Sequence, residues 1–146
     1  SKKKLPAHIT SFPVRKSELS QAVLSSQNNL KKIIKIVHPI IRVKMNIFIK
    51  KNKNKKFVVL DIPLLIENKI NNKNDILIFV DAKKNEIKRN LKKRSNINFK
   101  IIKRLKKVQL PVEIKKKRSD FVIKNNFKSN SVKKNVKRLM KKLNKC

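Results

Sequence analysis

The complete absence of glycine is the feature that most limits what this chain of 146 residues can build. A loop that cradles phosphate needs glycine, because its backbone must approach the phosphate closely and adopt positive φ angles. The sequence therefore contains neither a Walker-type phosphate loop nor a glycine-rich dinucleotide fingerprint. The chain also begins with Ser1 rather than methionine, which is what we expect of a truncated sequence.

The charge of the chain is extreme, with 42 Lys and Arg against 8 Asp and Glu and a net charge of +34. Such a field attracts polyanions and opposes compaction. One interpretation is a partner rich in phosphate, such as RNA, DNA or a nucleotide. The alternative is compositional drift, because Lys, Asn and Ile are the residues of A/T-rich codons. The lysines are spread from Lys2 to Lys145 rather than gathered in one block, which favours drift and only non-specific attraction to nucleic acid.

Composition excludes several other classes of protein. Hydrophobic residues make up 39% of the chain, which is too many for a wholly disordered protein. The lone cysteine, Cys146, provides no disulfide framework and no zinc cluster, as expected in a reducing compartment. No apolar run approaches the roughly 20 residues that span a bilayer, and no signal peptide is visible. We therefore expect a soluble cytoplasmic protein without a membrane partner.

Apolar residues that recur at spacings of three and four predict helices. After a loop over residues 1–15, such patterns begin near Ser17 and near Asn28, and a solvated turn is expected over residues 50–56. Pro39 should kink or restart the second helix. Further helices are predicted over 85–93, 99–108 and 131–143.

Three short apolar runs rich in β-branched residues predict strands over 57–62, 76–81 and 121–123. Continuous apolar runs of this kind are typical of strands buried on both faces of a parallel sheet. Because helical patterns separate the runs, the sequence predicts an α/β domain in which helices flank a parallel sheet.

The first predicted strand leads into the segment Asp61–Glu67, and ligands of open parallel sheets bind at the carboxyl ends of strands. Pro63, Leu64 and Leu65, with Glu67, could form an apolar pocket wall that carries one acidic group. A simple strand exit with hydrophobic anchors is the alternative, and spacing alone favours it.

Several segments, taken in order, resemble the segments of one enzyme family. VVLDIPLLIENK at 58–69 is similar to a "VPLLFE" segment, and IVHPII at 36–41 is similar to an "HP" helix motif. Phe79-Val80-Asp81 resembles the next strand, Arg94 and Gln109 have the spacing of a lid arginine and glutamine, and SDFVIKNN at 119–126 resembles a closing strand. Together these segments resemble the dephospho-CoA kinase family, from which the chain departs at Asn90, where an arginine is usual, and at Phe127, where a glycine is usual.

The resemblance implies a P-loop kinase-like parallel sheet, with a helical acceptor-binding section over 1–55 and a partial kinase core over 56–146 that carries a lid at about 95–118. It also implies that the N-terminal strands, the phosphate loop and a catalytic aspartate lie before Ser1. The implied reaction transfers a phosphoryl group from ATP, with Mg²⁺, to the 3′-hydroxyl of dephospho-CoA, the last step of coenzyme A synthesis. Because the phosphate-loop strand would lie between the strands at 57–62 and 76–81, we expect the piece alone to be inactive and not to fold cooperatively.

The resemblance also implies roles for individual residues. Arg94 would be the catalytic residue that stabilises charge on the transferred phosphoryl group. The implied acceptor site consists of His38, Arg42, Pro63, Leu64, Leu65 and Glu67. The implied ATP site consists of Gln109, Lys115, Asn125 and Asn126, and no residue is expected to bind a metal.

Each assignment has a structural alternative. His38 could satisfy a backbone carbonyl inside its helix, while Arg42 and Arg94 could face solvent. Lys115 lies in a run of cations that is solvated by default, and Asn125 with Asn126 could simply form a turn.

Two other functions compete with the kinase. A basic nucleic-acid-binding or ribosome-associated protein would explain the charge directly. It explains neither the buried-strand patterns nor the lack of stacking residues, since the chain has seven Phe but no Tyr or Trp. A kinase remnant kept as an inert interaction domain is the third hypothesis.

Overall fold

The computed structural model describes residues 5–95 and 97–145, and within them the chain forms six helices and two strands. In chain order these are α1 (Lys16–Ser25), α2 (Gln27–Lys51), β1 (Ile78–Asp81), α3 (Lys84–Lys92), α4 (Phe99–Lys106), α5 (Val112–Lys117), β2 (Phe121–Lys124) and α6 (Ser129–Leu143). They divide into two compact units, which we call the helical unit (the described residues up to Ile70, with Asn98–Gln109) and the sheet unit (Asn71–Ile97, with the described residues from Leu110 onward). Among the described residues, no helix combines the length and the hydropathy needed to cross a membrane.

The helical unit begins with the predicted loop, which one carboxylate ties to α1. Glu18 accepts hydrogen bonds from the backbone N–H of Ser11 at 3.1 Å and of Arg15 at 3.3 Å, and from the Thr10 hydroxyl at 2.7 Å. Hydrogen bonds from Ser11 and then Thr10 lower the pKa of Glu18 to about 2, because they stabilise its ionised form. This loop therefore keeps its anchor at every ordinary pH.

Helix α2 is a single helix of 25 residues that continues through Pro39. Ser26 caps its start by accepting a hydrogen bond from the backbone N–H of Asn29 at 3.0 Å. The predicted restart at Pro39 is wrong. A proline inside a helix removes one hydrogen bond, and the turns on both sides remain anchored through buried Leu30 and Met45. Helix α1 packs against both α2 and α4, with Ala22 and Val23 buried.

Residues 57–62 do not form the predicted strand. The segment lies in the helical unit, and Val59 at its centre is 83% exposed. An apolar, β-branched run becomes a strand only where a neighbouring strand accepts and donates its backbone hydrogen bonds. Within the described residues no strand pairs with this segment, so its sequence preference is not realised.

The sheet unit contains a two-stranded parallel sheet, in which Ile78 pairs with Phe121 and Asp81 with Lys124. This confirms the α/β class and the parallel arrangement. Burial on both faces, however, is wrong: Val80 is 56% exposed and Val122 is 48% exposed. Two strands with helix α6 on β2 cover too little surface to bury both faces of a sheet.

Polar side chains fix the ends of this small sheet. At its start, the Asp120 carboxylate accepts a hydrogen bond from the Leu77 backbone N–H at 2.7 Å, and the Asp120 N–H donates to the Leu77 carbonyl at 2.8 Å. At its other end, the Asn135 side chain of α6 donates to the Lys124 carbonyl at 2.9 Å. Inside the interface between α6 and β2, Leu139 is buried. The Asn135 bond ties α6 to β2, while the Asn125 N–H, which donates to the Asp81 carbonyl at 2.7 Å, joins the two strands at this end.

Candidate functional site

A groove of about 440 Å³ lies in the helical unit, against the N-terminal half of α2. Two of the predicted acceptor-site residues, Leu64 and Glu67, line it together with Ile34 of α2. Three lysines that the sequence analysis did not single out also line it, namely Lys31, Lys35 and Lys107. Helical spacing could have found two of them, because residues 31 and 35 lie one turn apart on the face that continues to His38.

The PLLIE loop, which we define as residues 63–70, folds back on itself. The backbone N–H of Asn68 donates to the Leu64 carbonyl at 3.1 Å, and that of Ile70 donates to the Leu65 carbonyl at 3.0 Å. Leu64 and Lys69 have φ angles of 57° and 50°, a region that favours glycine. Ile70 closes the loop and is only 2% exposed. In a chain without glycine, ordinary side chains must therefore tolerate this geometry.

Arg42 holds the end of the PLLIE loop. One terminal nitrogen of its guanidinium, Nη2, donates to the backbone carbonyls of Asn68 and Lys69, both at 3.1 Å. The sequence analysis expected Arg42 to face either the acceptor phosphates or solvent, and it did not predict this contact with the loop carbonyls. A single charged donor shared by two carbonyls joins α2 to a loop 26 residues further along the chain. Arg42 is accordingly a positioning residue for the loop.

His38 lies one helical turn before Arg42 on the same face of α2. Burial, and then the positive charge of Arg42, lower the pKa of His38 below its ordinary value of 6.5. The imidazole is therefore neutral at pH 7 and offers hydrogen bonds rather than a positive charge. His38 does not line the groove, which ends about one turn earlier on α2.

The remaining predicted residues of the helical unit lie around the same loop and groove. Pro63 is exposed at the start of the PLLIE loop, and Leu65 is half-buried. Gln109 is exposed and directly follows Val108, which lines the groove, while its backbone N–H donates to the Lys106 carbonyl at 3.2 Å. The structure thus gathers Leu64, Glu67 and the neighbours of Gln109 around one groove.

In the sheet unit, Asn125 and Asn126 begin what we call the asparagine loop, residues 125–128. Asn125 accepts a hydrogen bond from the Phe127 N–H at 2.8 Å, and Asn126 accepts one from the Lys128 N–H at 3.1 Å. Asn126 also donates to the Ser131 hydroxyl at 3.2 Å. These are the local side-chain-to-backbone bonds that make asparagine common in turns. Phe127, where the resemblance led us to expect a glycine, has a positive φ of 59°.

Lys115 and its neighbour Lys116 lie on α5, a short helix that the sequence analysis did not predict. The Lys116 ammonium lies 3.0 Å from the carboxylate of Asp81, the last residue of β1. This hydrogen bond to Asp81 raises the pKa of Lys116. The acidic Glu113 in the first turn and the lysines in the last turn were the available signal for the helix, because they complement its dipole. Lys115 itself is half-buried, and its carbonyl accepts a bond from the Ser119 hydroxyl at 2.8 Å.

Arg94 is exposed just after α3, and its backbone N–H donates to the Leu91 carbonyl at 3.1 Å. It belongs to the sheet unit, whereas Gln109 belongs to the helical unit. The joint action of Arg94 and Gln109 on one nucleotide therefore stays a prediction. Across residues 5–95 and 97–145, no group of three or more His, Cys, Asp or Glu side chains is arranged to hold a metal ion.

The segment 36–41, the PLLIE loop, Arg94 and the asparagine loop all lie within the span that one known family matches. The family model for dephospho-CoA kinase matches residues 13–142 of the chain. The chain belongs to the dephospho-CoA kinase family. A dephospho-CoA kinase of the Wolbachia endosymbiont of Brugia malayi is 33% identical over 125 residues, which cover 84% of this chain and 64% of the relative.

Other members of the dephospho-CoA kinase family show a similar relationship. That of Wolbachia pipientis wMel is 31% identical over 146 residues, covering 99% of this chain and 74% of the relative. That of Bartonella quintana is 32% identical over 120 residues, covering 81% of this chain and 62% of the relative. The chain therefore spans between 62% and 74% of the length of these three kinases.

Proposed function

We propose that this chain forms the acceptor-binding and part of the nucleotide-binding structure of a dephospho-CoA kinase. The enzyme would transfer the γ-phosphoryl group of ATP to the 3′-hydroxyl of dephospho-CoA. The observation that carries the proposal is the family match over residues 13–142. The groove beside the PLLIE loop and the asparagine loop at the end of β2 supply the physical detail.

The groove of the helical unit suits dephospho-CoA, which joins an adenosine, a diphosphate and a long pantetheine arm. Lys31, Lys35 and Lys107 place positive charge around the groove, as a diphosphate requires. Ile34 and Leu64 offer apolar contact to the arm or the adenine. Glu67 is a hydrogen-bond acceptor for a ribose hydroxyl, and His38 would be a neutral hydrogen-bonding group one turn away.

Arg42 enters this proposal as a positioning residue. Its two bonds to the carbonyls of Asn68 and Lys69 hold the loop whose Leu64 and Glu67 line the groove. Pro63 and Leu65 would fix the start of that loop rather than touch the reacting atoms. A substitution of Arg42 should consequently alter the affinity for the acceptor, although Arg42 itself would not contact the acceptor.

ATP would be bound chiefly by the sheet unit. The asparagine loop would lie against the adenine, while Lys115 would contact the nucleotide and Arg94 the γ-phosphate. Gln109, which the resemblance implies as a further ATP-binding residue, belongs to the helical unit. The Lys116–Asp81 pair fixes α5, the helix that carries Lys115, to the end of β1. We further propose that ATP is used with Mg²⁺ held mainly by the nucleotide's own phosphates, as is usual for this ion.

The reaction needs positioning and charge neutralisation more than covalent help from the protein. The acceptor 3′-oxygen would form a bond to the γ-phosphorus, the bond from that phosphorus to the β–γ bridging oxygen would break, and the hydroxyl proton would pass to a base. Because these 146 residues contain no glycine, they do not include a glycine-rich phosphate loop. We accordingly propose that the piece alone is inactive.

The decisive experiment uses the full-length protein with ATP, Mg²⁺ and dephospho-CoA, and follows ADP release together with the mass of the product. We expect a product heavier by one phosphoryl group at the 3′-position. Phosphorylation of a different small alcohol instead of dephospho-CoA would overturn the substrate assignment. No ATP consumption with any acceptor would favour an inert kinase remnant.

The same assay tests Arg94. Arg94→Lys keeps the charge but removes the planar fork that suits phosphate oxygens, so kcat should fall on the order of tenfold with a smaller change in acceptor KM. Arg15→Lys, an exposed arginine at the start of α1, is the matched control and should leave kcat unchanged. Equal kcat values for the two variants would mean that Arg94 has no role in phosphoryl transfer.

A further inference from the structure

The surface of α6 carries an unusual arrangement of charge. Helix α6 contains six basic side chains and no acidic one over Ser129–Leu143. They form two rows with four-residue spacing, namely Lys133, Lys137 and Lys141, and Lys134, Arg138 and Lys142. At about 100° per residue, the two rows together cover roughly half of the helix circumference. All six residues are exposed.

The other half of α6 is partly covered by β2, although Val136 on that half is 40% exposed. Val132, Leu139 and Met140 lie on the opposite side, and Leu139 is buried in the contact with β2. This matters for the choice of partner. A helix that binds a membrane surface must insert its apolar face, together with large apolar side chains, into the bilayer. The apolar face of α6 packs on its own sheet, so a lipid surface is not the partner that this helix fits.

The basic surface continues from α6 onto the sheet. A second groove, of about 290 Å³, lies between β2 and α6. Lys124 of β2 lines it together with Arg138 and Lys142 of α6. Among the described residues that line this groove none carries a carboxylate, and Asn135 at its side already donates to the Lys124 carbonyl. The groove therefore provides a concave positive site next to the two rows.

The dimensions of this surface match a repeating polyanion better than a single nucleotide. From Lys133 to Lys142 the helix rises about 13 Å. Duplex nucleic acid carries about one charge for each 1.7 Å of its axis, so a duplex of that length carries roughly eight phosphates on its two strands. Successive cations within a row are separated by a rise of about 6 Å, which spreads the positive charge along the helix.

We propose that α6, with Lys124 at its side, is a docking surface for the phosphate backbone of duplex nucleic acid. Helix α6 and Lys124 offer lysines and one arginine but no aromatic side chain, and Phe121, which lines the groove, is half-buried in β2. The surface therefore suits contact with phosphates rather than stacking on bases. Binding is consequently independent of base sequence and strongly dependent on salt. This role is separate from phosphoryl transfer, and its residues are not those assigned to ATP or the acceptor.

The test compares two triple variants of the full-length protein that remove the same charge. In the first, Lys133, Lys137 and Lys141 are changed to Gln. In the second, Lys32, Lys44 and Lys50 of α2, all exposed and all outside both grooves, are changed to Gln. Fluorescence anisotropy with a labelled 24-base-pair DNA duplex, and with an RNA duplex of equal length, gives affinity between 50 and 300 mM salt. Circular dichroism checks that both variants keep their helices.

The α6 variant should bind duplex DNA at least tenfold more weakly at 150 mM salt, and its log–log salt slope should shrink by roughly 2.7, about 0.9 for each lost phosphate contact. The affinity of the α2 variant for duplex DNA should stay within about threefold of the wild-type affinity. The wild-type affinities for the RNA duplex and the DNA duplex should also agree within about threefold. Equal losses in both variants would overturn the proposal, because they would attribute binding to net charge alone. Absence of wild-type binding to either duplex at 150 mM salt, or binding only to vesicles that contain phosphatidylserine, would overturn it as well.

Discussion

The PLLIE loop and the asparagine loop solve the same backbone problem in different ways. Both place ordinary side chains at positive φ, namely Leu64 and Lys69 in the first and Phe127 in the second. The PLLIE loop has bonds of its own, including one from the Asn68 side chain to the Leu64 carbonyl at 3.0 Å, but it is also held from outside by Arg42, a residue 26 positions earlier in the chain. The asparagine loop is held by its own side chains, each of which accepts a bond from the backbone two residues further on.

The two loops differ in which residues fix their backbone conformation. A locally bonded turn is encoded within a few residues and forms wherever those residues occur. A loop held by a distant guanidinium depends on a correctly packed helix, and so it reports on the tertiary structure. The proposed acceptor site is therefore coupled to the packing of α2, whereas the proposed adenine site is nearly autonomous.

Arg42→Ala should give the largest effect on this comparison. It removes two hydrogen bonds from a charged donor, and we expect a loss of about 2 kcal/mol in the free energy of unfolding. Hydrogen exchange at the amides of Asn68 and Ile70, which are bonded inside the PLLIE loop, should accelerate. The amide of Phe127 in the asparagine loop should not change beyond the global effect.

Lys44→Ala is the control for Arg42→Ala, because Lys44 is exposed on the same helix. It should change the free energy of unfolding by less than about 0.5 kcal/mol. If both variants lose the same stability, Arg42 acts through helix propensity or charge rather than through the loop carbonyls.

Asn126→Ala should have a smaller and more local effect. It removes the bonds to the Lys128 N–H and to the Ser131 hydroxyl, at a cost of about 1 kcal/mol. Asn126→Asp keeps the acceptor oxygen but loses the donor, so it should retain the exchange protection of the Lys128 amide. An equal loss of that protection in both variants would mean that the loop does not depend on the side-chain oxygen.

Phe127 allows a finer test, because its φ of 59° favours glycine. Phe127→Gly and Phe127→Ala both remove the ring and differ in backbone freedom. At a positive φ we expect the Gly variant to be more stable than the Ala variant by about 1 kcal/mol in chemical denaturation. Greater stability of the Ala variant would show that the left-handed geometry is not retained.

The smallest expected effect is a difference in acid sensitivity between the loops. The pKa of His38 is lowered, so its folded form binds a proton less readily than its unfolded form. The contribution of neutral His38 to the free energy of unfolding is thus fully present above about pH 6.5 and decreases as the pH falls below that value. Protonated His38 would also repel Arg42 and loosen the PLLIE loop.

Hydrogen exchange can be compared at pH 7.5 and pH 5.5 after correction for the intrinsic rate. Residues 64–70 should be less protected at pH 5.5 than at pH 7.5, whereas the protection of residues 125–128 should be the same at both pH values. His38→Gln should abolish the difference between the two pH values. Persistence of that difference in the His38→Gln protein would assign the acid sensitivity to another group.

Local preferences are the part of this fold that could be predicted from the sequence. The helices near 17, 28, 85, 99 and 131 were placed within a few residues, because their apolar residues repeat with a helical period. That 76–81 and 121–123 belong to a parallel sheet followed from alternating strands and helices, whereas only the structure showed that these two strands pair with each other. The short helix α5 was missed, since six residues carry too little periodicity to identify a helix.

The same local reasoning failed where a segment depends on a partner. Residues 57–62 have every preference of a buried strand, yet they are not a strand, because a ladder needs a second strand to accept and donate its bonds. Arg42 is the corresponding example in the site. Its residue type indicated anion binding, but the atoms that it contacts are loop carbonyls, whose position depends on how the chain folds back onto α2.

The sequence by itself determined the α/β class, the family and the absence of a glycine-rich phosphate loop, and it offered a turn as one of two interpretations of Asn125 and Asn126. All of these depend on residue types, on short spacings and on the order of the motifs along the chain. Only the tertiary structure decided that three lysines line the acceptor groove, that Lys116 rather than Lys115 bonds to Asp81, and that Arg42 holds the PLLIE loop. The physical reason is the range of the interaction: periodicity and turn chemistry act over a few residues, whereas grooves, ion pairs and loop clamps join side chains that are distant in the chain.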